Sequence, residues 1–264
     1  MSDTLIVTID DRGIAYVSLN RPDVHNAFND ELINLLTRAF KKISTDPNVR
    51  AVVLAGNGKS FCAGADLNWM KKAATYSDDE NIDDALRLSQ MLDAIYTCPK
   101  PTIALVQGAV FGGGVGLVAC CDIVLAASNS KFSLSEVKLG LTPATISPFV
   151  VAALGPKKSR RLFITAARFT AEQALSWGLI DYMSDDKDQA QKALDDFIDA
   201  ILLGAPGAQG DAKALVSYVA NQPISDEVRA ETARRIAARR ASHEGKEGLD
   251  AFLSNRKPNW VGKS

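Results

Sequence analysis

Two apolar runs in this chain each end in a glycine-containing turn, and this pair of turns limits the possible folds more than any other feature. In the first, Val52-Val53-Leu54-Ala55 leads through Gly56 to Ser60 into Phe61-Cys62-Ala63-Gly64-Ala65-Asp66. In the second, Thr102-Ile103-Ala104-Leu105-Val106 leads into Gln107-Gly108-Ala109-Val110-Phe111-Gly112-Gly113-Gly114. Both read as strands emptying into turns whose backbone N–H groups are left free. Two such groups converging on one point stabilise a negative oxygen, so the pattern points to chemistry at a polarised carbonyl.

The run Gly112-Gly113-Gly114 removes every Cβ where a ligand would approach the backbone. A helix starting at Gly113 would aim its positive end at that spot. A tight strand–helix packing turn is the other reading, but consecutive glycines at a helix start cost more helix stability than packing alone would justify. Neither G-x-G-x-x-G nor a Walker pattern is present, so this is no nucleotide fingerprint.

Around the turns, Leu5 to Ile9 and Ile14 to Leu19 read as strands about Asp10-Asp11-Arg12-Gly13. Asn29 caps a helix through about Ser44, with Leu32, Leu35, Leu36, Ala39, Phe40 and Ile43 on one face. Val49 to Ala55 is a strand. Ser77-Asp78-Asp79-Glu80 is a capping box for a helix to about Tyr96, broken by Cys98-Pro99-Lys100-Pro101. Thr102 to Val106 and Ile123 to Ala127 are strands, Gly113 to Cys121 a short helix, and Lys131 to Leu134 another short strand. After about Pro148 helical periodicity takes over: Lys157 to Thr165, Ala171 to Trp177, Ala190 to Leu203, Ala212 to Ala220 and Asp226 to Arg240. The fold class is α/β with a helical tail.

With 264 residues there is room for one large domain or a domain with an appendage. A formal net charge of −1 gives no global field for nucleic acid or anionic membrane. No apolar stretch is long enough to span a bilayer, and Met1 to Val7 lacks the pattern of a signal peptide, so a cytoplasmic location is expected. Cys62, Cys98, Cys120 and Cys121 show no zinc spacing and no disulfide framework, and no metal is expected. Arg229, Arg234, Arg235, Arg239 and Arg240 on the last long helix read either as an RNA-binding face or as a solvated or subunit-facing side. The lack of stacking aromatics favours the second.

The only histidines are His25 and His243, and neither sits in a triad-like motif. There is no Gly-x-Ser-x-Gly elbow. The search for a proton carrier therefore falls on carboxylates. Glu136, in Phe132-Ser133-Leu134-Ser135-Glu136-Val137, lies in a mainly apolar context after a strand. It reads either as a proton shuttle with a raised pKa or as a structural partner of a cap or ion pair.

Taken together, these residues resemble the enoyl-CoA hydratase/isomerase, or crotonase, family over nearly the whole chain. The marks are Asn20-Arg21-Pro22 with Asn26-Ala27-Phe28; Cys62 to Leu67; Gln107 to Gly114; Cys121-Asp122-Ile123; Phe132 to Val137; and Glu247 to Phe252 through Arg256-Lys257-Pro258. The resemblance implies a crotonase-like (ClpP/crotonase) spiral of ββα units over residues 1–200. Residues 201–264 would form a C-terminal helical oligomerisation region that builds homotrimers or homohexamers. It implies an acyl-CoA substrate, with no cofactor beyond the coenzyme A that belongs to the substrate. The backbone N–H groups of Ala65 and Gly113 would hold the thioester oxygen. His25, Ala27, Ala63, Asp66 and Leu67 would lie along the CoA, and Phe252 and Lys257 would reach the CoA of a neighbouring subunit. Asn68 stands where some relatives carry a basic phosphate contact, which leaves Lys71 or Lys72 to replace it. Trp69, Met70, Phe111, Gly116, Leu141 and Pro143 are the acyl-pocket candidates.

One departure bears on the reaction. Hydratases of this family usually grip water with two glutamates; one matches Glu136, and Gly116 occupies the place of the other. A lone carboxylate suffices for an isomerase, which carries one proton between C2 and C4, and it can also serve a hydratase. The segments Leu134 to Val137, Gly140 to Ala144 and Ile146 to Val150 resemble a bacterial branch described as methylglutaconyl-CoA hydratases, acting in leucine degradation, with a sister group acting on isoprenoid-derived glutaconyl-CoA in terpene breakdown. Hydration of 3-methylglutaconyl-CoA to 3-hydroxy-3-methylglutaryl-CoA is therefore the expected reaction. Enoyl-CoA isomerisation or general β-oxidation hydration is the alternative, and an RNA-binding or silent scaffold is the non-enzymatic one. Gly116 is expected to make room for the branched acyl chain, and Lys138 is a candidate partner for a distal carboxylate.

Overall fold

The computed structural model describes residues 3–262. In chain order its elements are β1 (Leu5–Ile9), β2 (Ile14–Leu19), α1 (Asp30–Thr45), β3 (Ala51–Gly56), α2 (Leu67–Ala73), α3 (Asp78–Tyr96), β4 (Thr102–Val106), β5 (Ala109–Phe111), α4 (Gly113–Cys120), β6 (Ile123–Ala127) and β7 (Lys131–Ser133). There follow α5 (Ser147–Thr165), β8 (Phe169–Thr170), α6 (Ala171–Ser176), β9 (Tyr182–Ser184), α7 (Lys187–Leu203), α8 (Pro206–Val219), α9 (Asp226–Ala241) and α10 (His243–Leu253).

The strands form a six-stranded sheet in the order β1-β2-β3-β4-β6-β9, antiparallel only between β1 and β2, and a three-stranded sheet β5-β7-β8. Parallel strands need crossovers, and helices cover both faces of the larger sheet, so its strands read as continuous apolar runs. On one face Val17, Leu19, Val52, Leu54, Ala104 and Val124 pack against α1, α3, α4 and α5. On the other, Ile14, Ala51, Val53, Ile103 and Leu125 pack against Ala193, Leu194, Ile198 and Ile201 of α7. The unit β1-β2-α1 recurs as β4-β5-α4 and β6-β7-α5. In the turn that begins with β3, single bridges at Cys62 and Ala65 take the place of a second strand.

The caps fall where the sequence puts them. Asn29 accepts from the Leu32 N–H, and Ser77 and Glu80 form the reciprocal capping box of α3. Other expectations differ. The tail after Pro148 is not purely helical, because β8 and β9 interrupt it and β9 extends the large sheet. Of the strands of two or three residues only β7 matches a sequence expectation, at Lys131 to Leu134; β5, β8 and β9 carry too little alternation to be read and exist through pairing. The elements β5, α2 and α10 also lie outside the sequence reading, and α7 and α8 begin earlier than their periodicity suggests.

The helices after α7 pack on one another and bury little; of them only α10 holds a buried residue, Ala251. Arg50 ties this region to the core. Its guanidinium donates to the carbonyls of Trp260 (2.9 Å), Leu202 (3.3 Å) and Gly204 (2.8 Å). On α9, Arg229, Arg234, Arg235 and Arg239 are engaged by Asp226, Glu231, Asp211 and Glu244. No helix among the described residues is long and apolar enough to cross a membrane.

Candidate active site

The first turn is built around a buried amide. Asn26 accepts from the Arg21 N–H (2.8 Å) and donates to the carbonyls of Asn57 (2.9 Å) and Ser60 (2.8 Å). His25 and Asn26 both sit in the left-handed region, with φ of 53° and 56°. From there Cys62 joins the second turn. Its N–H donates to Ala109 (3.2 Å) and its carbonyl accepts from Phe111 (2.9 Å). On the other side Phe28 donates to the Gly64 carbonyl (2.7 Å) and accepts from the Asp66 N–H (2.8 Å). In such a bridge the intervening residue turns its own N–H and C=O away from the partner. Among the described residues, no backbone group accepts from the Ala65 N–H.

The second donor arises at a helix start. Gly112, at φ 52°, donates to the Ser133 carbonyl (2.9 Å) and turns the chain into α4. The Gly113 N–H is one of the four that no helix satisfies internally, and it too has no backbone acceptor among the described residues. The two turns touch: a Cβ on Gly64 would meet the Phe111 carbonyl at 3.1 Å, and one on Gly112 would lie 3.9 Å from the Gly64 Cα.

This proximity corrects one step of the sequence reading. Packing does account for the glycine run. A Cβ on Gly113 would sit 2.6 Å from the Phe28 ring, and one on Gly114 2.4 Å from the Cys62 carbonyl. The glycines are required because the turns are pressed together, and that same approach places two unsatisfied N–H groups on adjoining segments.

Glu136 opens a 3-10 turn that runs to Leu139 directly after β7. Its Oε1 lies 3.1 Å from the Cβ position of Gly112, and its Oε2 is buried with no hydrogen-bond partner. Burial pushes the carboxyl above its ordinary value, opposed only by its own backbone N–H. Among the described residues no ion pair engages it. It is a half-buried acid with a bare oxygen beside the donor turn, and the structural-partner reading has nothing to pair it with.

Asp66 caps α2, accepting from Asn68 (2.7 Å) and Trp69 (3.3 Å), and pairs with Arg21 at 2.8 Å. Burial opposes its ionisation, but the Arg21 hydrogen bond, the two helix N–H groups and the guanidinium charge together hold the carboxyl below its usual range. Arg21 also donates to the Ala27 carbonyl. The 21–28 segment and the Ala65 peptide are thus locked to each other.

The remaining candidates are distributed as follows. His25 is exposed, with Nδ1 3.1 Å from the Ser60 hydroxyl, and its carbonyl accepts from Ala63 (3.0 Å); Ala27 is buried. Leu67 is largely bare on α2, and Lys72 is engaged by Asp30 at 3.0 Å, which leaves Lys71 the freer of the two lysines. Trp69 is half-buried, with its indole N–H 3.4 Å from the buried Asp84, and Met70 follows it. Phe111 is half-buried beneath the Arg168 guanidinium (5.4 Å), Pro143 is buried, and Leu141 and Lys138 are exposed. Phe252 presents a side chain 79% exposed on α10, and Lys257 is exposed beyond it.

The expected room at Gly116 is absent. A Cβ there would meet Ile146 Cγ2 at 2.5 Å and Leu92 Cδ2 at 3.5 Å, so side chains from the residue just before α5 and from α3 already fill the space. Sequence reading missed Ile146 and Leu92 here, and it also missed the part Phe28 plays between the turns. Phe28 and Ile146 left a signal, standing inside the Asn26-Ala27-Phe28 motif and the Ile146 to Val150 segment, and Leu92 left none.

A sequence model of the enoyl-CoA hydratase/isomerase family matches residues 10–263. A putative enoyl-CoA hydratase of Thermus thermophilus is 32% identical over 258 residues, covering 97% of this chain and all of that protein. The 1,2-epoxyphenylacetyl-CoA isomerase of Escherichia coli is 30% identical over 269 residues, covering 96% of this chain and 97% of that protein. Among solved structures, an enoyl-CoA hydratase from Shewanella pealeana superposes with a TM-score of 0.93 at 42% identity, covering 97% of this chain and 96% of that one.

Proposed function

The chain belongs to the enoyl-CoA hydratase/isomerase family, and from that premise we propose that it hydrates a branched 2-enoyl-CoA thioester, 3-methylglutaconyl-CoA, to 3-hydroxy-3-methylglutaryl-CoA. The observation that carries the reading is the unpartnered, half-buried Glu136 carboxyl beside a turn with unsatisfied N–H groups. In the proposed reaction the thioester oxygen accepts from the Ala65 and Gly113 N–H groups. Glu136, as carboxylate, takes a proton from water while the water oxygen bonds to C3. The C2–C3 π electrons move toward the thioester as an enolate, whose negative oxygen the two donors hold. The protonated Glu136 then returns a proton to C2. Each turnover adds one water and leaves the enzyme unchanged.

In this reading coenzyme A runs past His25, Ala27, Ala63, Asp66 and Leu67, mainly against backbone, and Trp69, Met70, Phe111, Leu141 and Pro143 surround the acyl chain. Phe252 and Lys257 serve the CoA of a neighbouring subunit in a trimer or hexamer. Support for such a neighbour comes from the bare apolar side chains of Val216, Ile236, Leu249, Phe252 and Leu253 on α8 to α10. Support for the branched acyl chain is the resemblance carried by Leu134 to Val137 and Ile146 to Val150.

A second reading, isomerisation of the enoyl double bond, draws on the same solitary carboxylate, since moving one proton needs one carrier. A substrate panel monitored by loss of the enoyl-thioester ultraviolet band, followed by product mass, separates the two. Hydration adds the mass of one water, and isomerisation adds nothing. An unchanged mass with a shifted double bond would replace the first reading by the second.

A further inference from the structure

Gly116 lies one helical turn beyond Gly113 in α4, so the two Cα atoms share roughly one face of the donor helix. That face is crowded at both positions, by Phe28 at Gly113 and by Ile146 at Gly116. Ile146 is 2% exposed and stands at the start of α5, on the segment that descends from the Glu136 turn. Its Cβ and Cγ2 lie 3.0 and 2.5 Å from where a Cβ of residue 116 would be. Real Cβ atoms do not approach a neighbour to 2.5 Å, and although rotation about χ1 moves Cγ2, the branched Cβ of Ile146 stays at 3.0 Å, so the start of α5 must give way to any side chain at 116. The two positions are mutually exclusive: one side chain fits between α4 and the start of α5, and here it comes from residue 146.

Resting on the hydratase reading above, we propose that Ile146 is a specificity-determining residue that acts through position 116. By filling that place with hydrocarbon it bars any polar side chain from the donor helix there, leaves Glu136 as the single proton carrier, and selects for an acyl chain whose own distal carboxylate can hold the water over one that carries none. Exchanging the pair, Gly116→Glu together with Ile146→Gly, transfers the space to a carboxylate. A second carboxylate can hold the attacking water independently of what the acyl chain carries, which favours a 2-enoyl thioester without a distal carboxylate.

A double-mutant cycle tests this, using thermal unfolding and kcat/KM for crotonyl-CoA and 3-methylglutaconyl-CoA on the assembled enzyme. Gly116→Glu alone should lower Tm by about 5 °C or more through overpacking, and Ile146→Gly alone by a similar amount through its void. The double variant should recover most of the loss. Should Gly116→Glu fail to fold while the double variant folds, the exclusion stands, and Gly116→Ala supplies the missing arm. The crotonyl to methylglutaconyl ratio of kcat/KM should rise at least about tenfold in the double variant, and its pH profile should gain a second acidic ionisation. Additive Tm losses would overturn the exclusive packing. Recovered Tm with an unchanged ratio would overturn the role in specificity. A wild-type enzyme inactive on both esters would overturn the hydratase reading and the preference with it, while the Tm cycle would still decide the packing.

Discussion

The ring of Phe28 occupies the space that a side chain on Gly113 would need, with Cε2 2.6 Å from that Cβ position. The backbone of Phe28 also brackets Ala65 through its bonds to Gly64 and Asp66. One residue therefore gauges both proposed donors. Gly113→Ala must push the start of α4 away from Phe28. A displacement of about 1 Å at such a site costs on the order of a hundredfold in rate. Steady-state kinetics should show that loss mainly in kcat. Unaltered kcat would remove Gly113 as a donor.

Glu136→Gln keeps the shape of the side chain and removes its proton chemistry. A loss of about 10²- to 10⁴-fold in turnover is expected, with CoA-ester affinity largely retained by calorimetry. Activity within about tenfold of the parent would show that another group carries the proton.

Because burial raises the Glu136 carboxyl, the acidic limb of kcat/KM should lie above the usual glutamate value of about 4.3. Activity falls as pH drops through the raised value, since the working base is the carboxylate. Stability has the opposite sign. The folded state holds this proton more tightly than the unfolded chain, so Glu136 lowers stability progressively as pH rises from the ordinary to the raised value. Glu136→Gln should therefore melt higher than the parent at neutral pH, with the gap closing in acid. Equal melting temperatures at neutral pH would show that the carboxyl is not strained there.

The Arg21–Asp66 pair predicts the reverse pH sense. The Asp66 carboxyl is held below its usual range, so its contribution is full above the ordinary aspartate value and is lost as pH falls through the depressed one. Asp66→Ala leaves the part-buried Arg21 guanidinium with the Ala27 carbonyl but without its carboxylate and uncaps α2, at a cost of about 2–4 kcal/mol. Denaturant unfolding at neutral pH measures this directly, and a cost below about 1 kcal/mol would show the pair to be solvent-screened.

Much of this architecture can be read from the chain. Buried parallel strands must be apolar throughout, which is why Val52 to Ala55 and Thr102 to Val106 announce themselves. Caps are local, so Asn29 and the Ser77–Glu80 box mark their helices without help from the fold. Glu136 stands out because the chain has only two histidines and because this carboxylate sits in a mainly apolar context after a strand. The short strands β5, β8 and β9 do not, because two or three residues become a strand only when a partner is in place.

By itself, then, the sequence determined the longer strands of the sheet, the helix caps, the two glycine turns and the candidate acid Glu136, since each depends on near neighbours in the chain. Tertiary structure alone decided why the glycines are glycines. Phe28 crowds Gly113, the Cys62 carbonyl crowds Gly114, and Ile146 fills the place beside Gly116. These are contacts between residues far apart in sequence, enforced by close packing between segments that only the completed fold brings together.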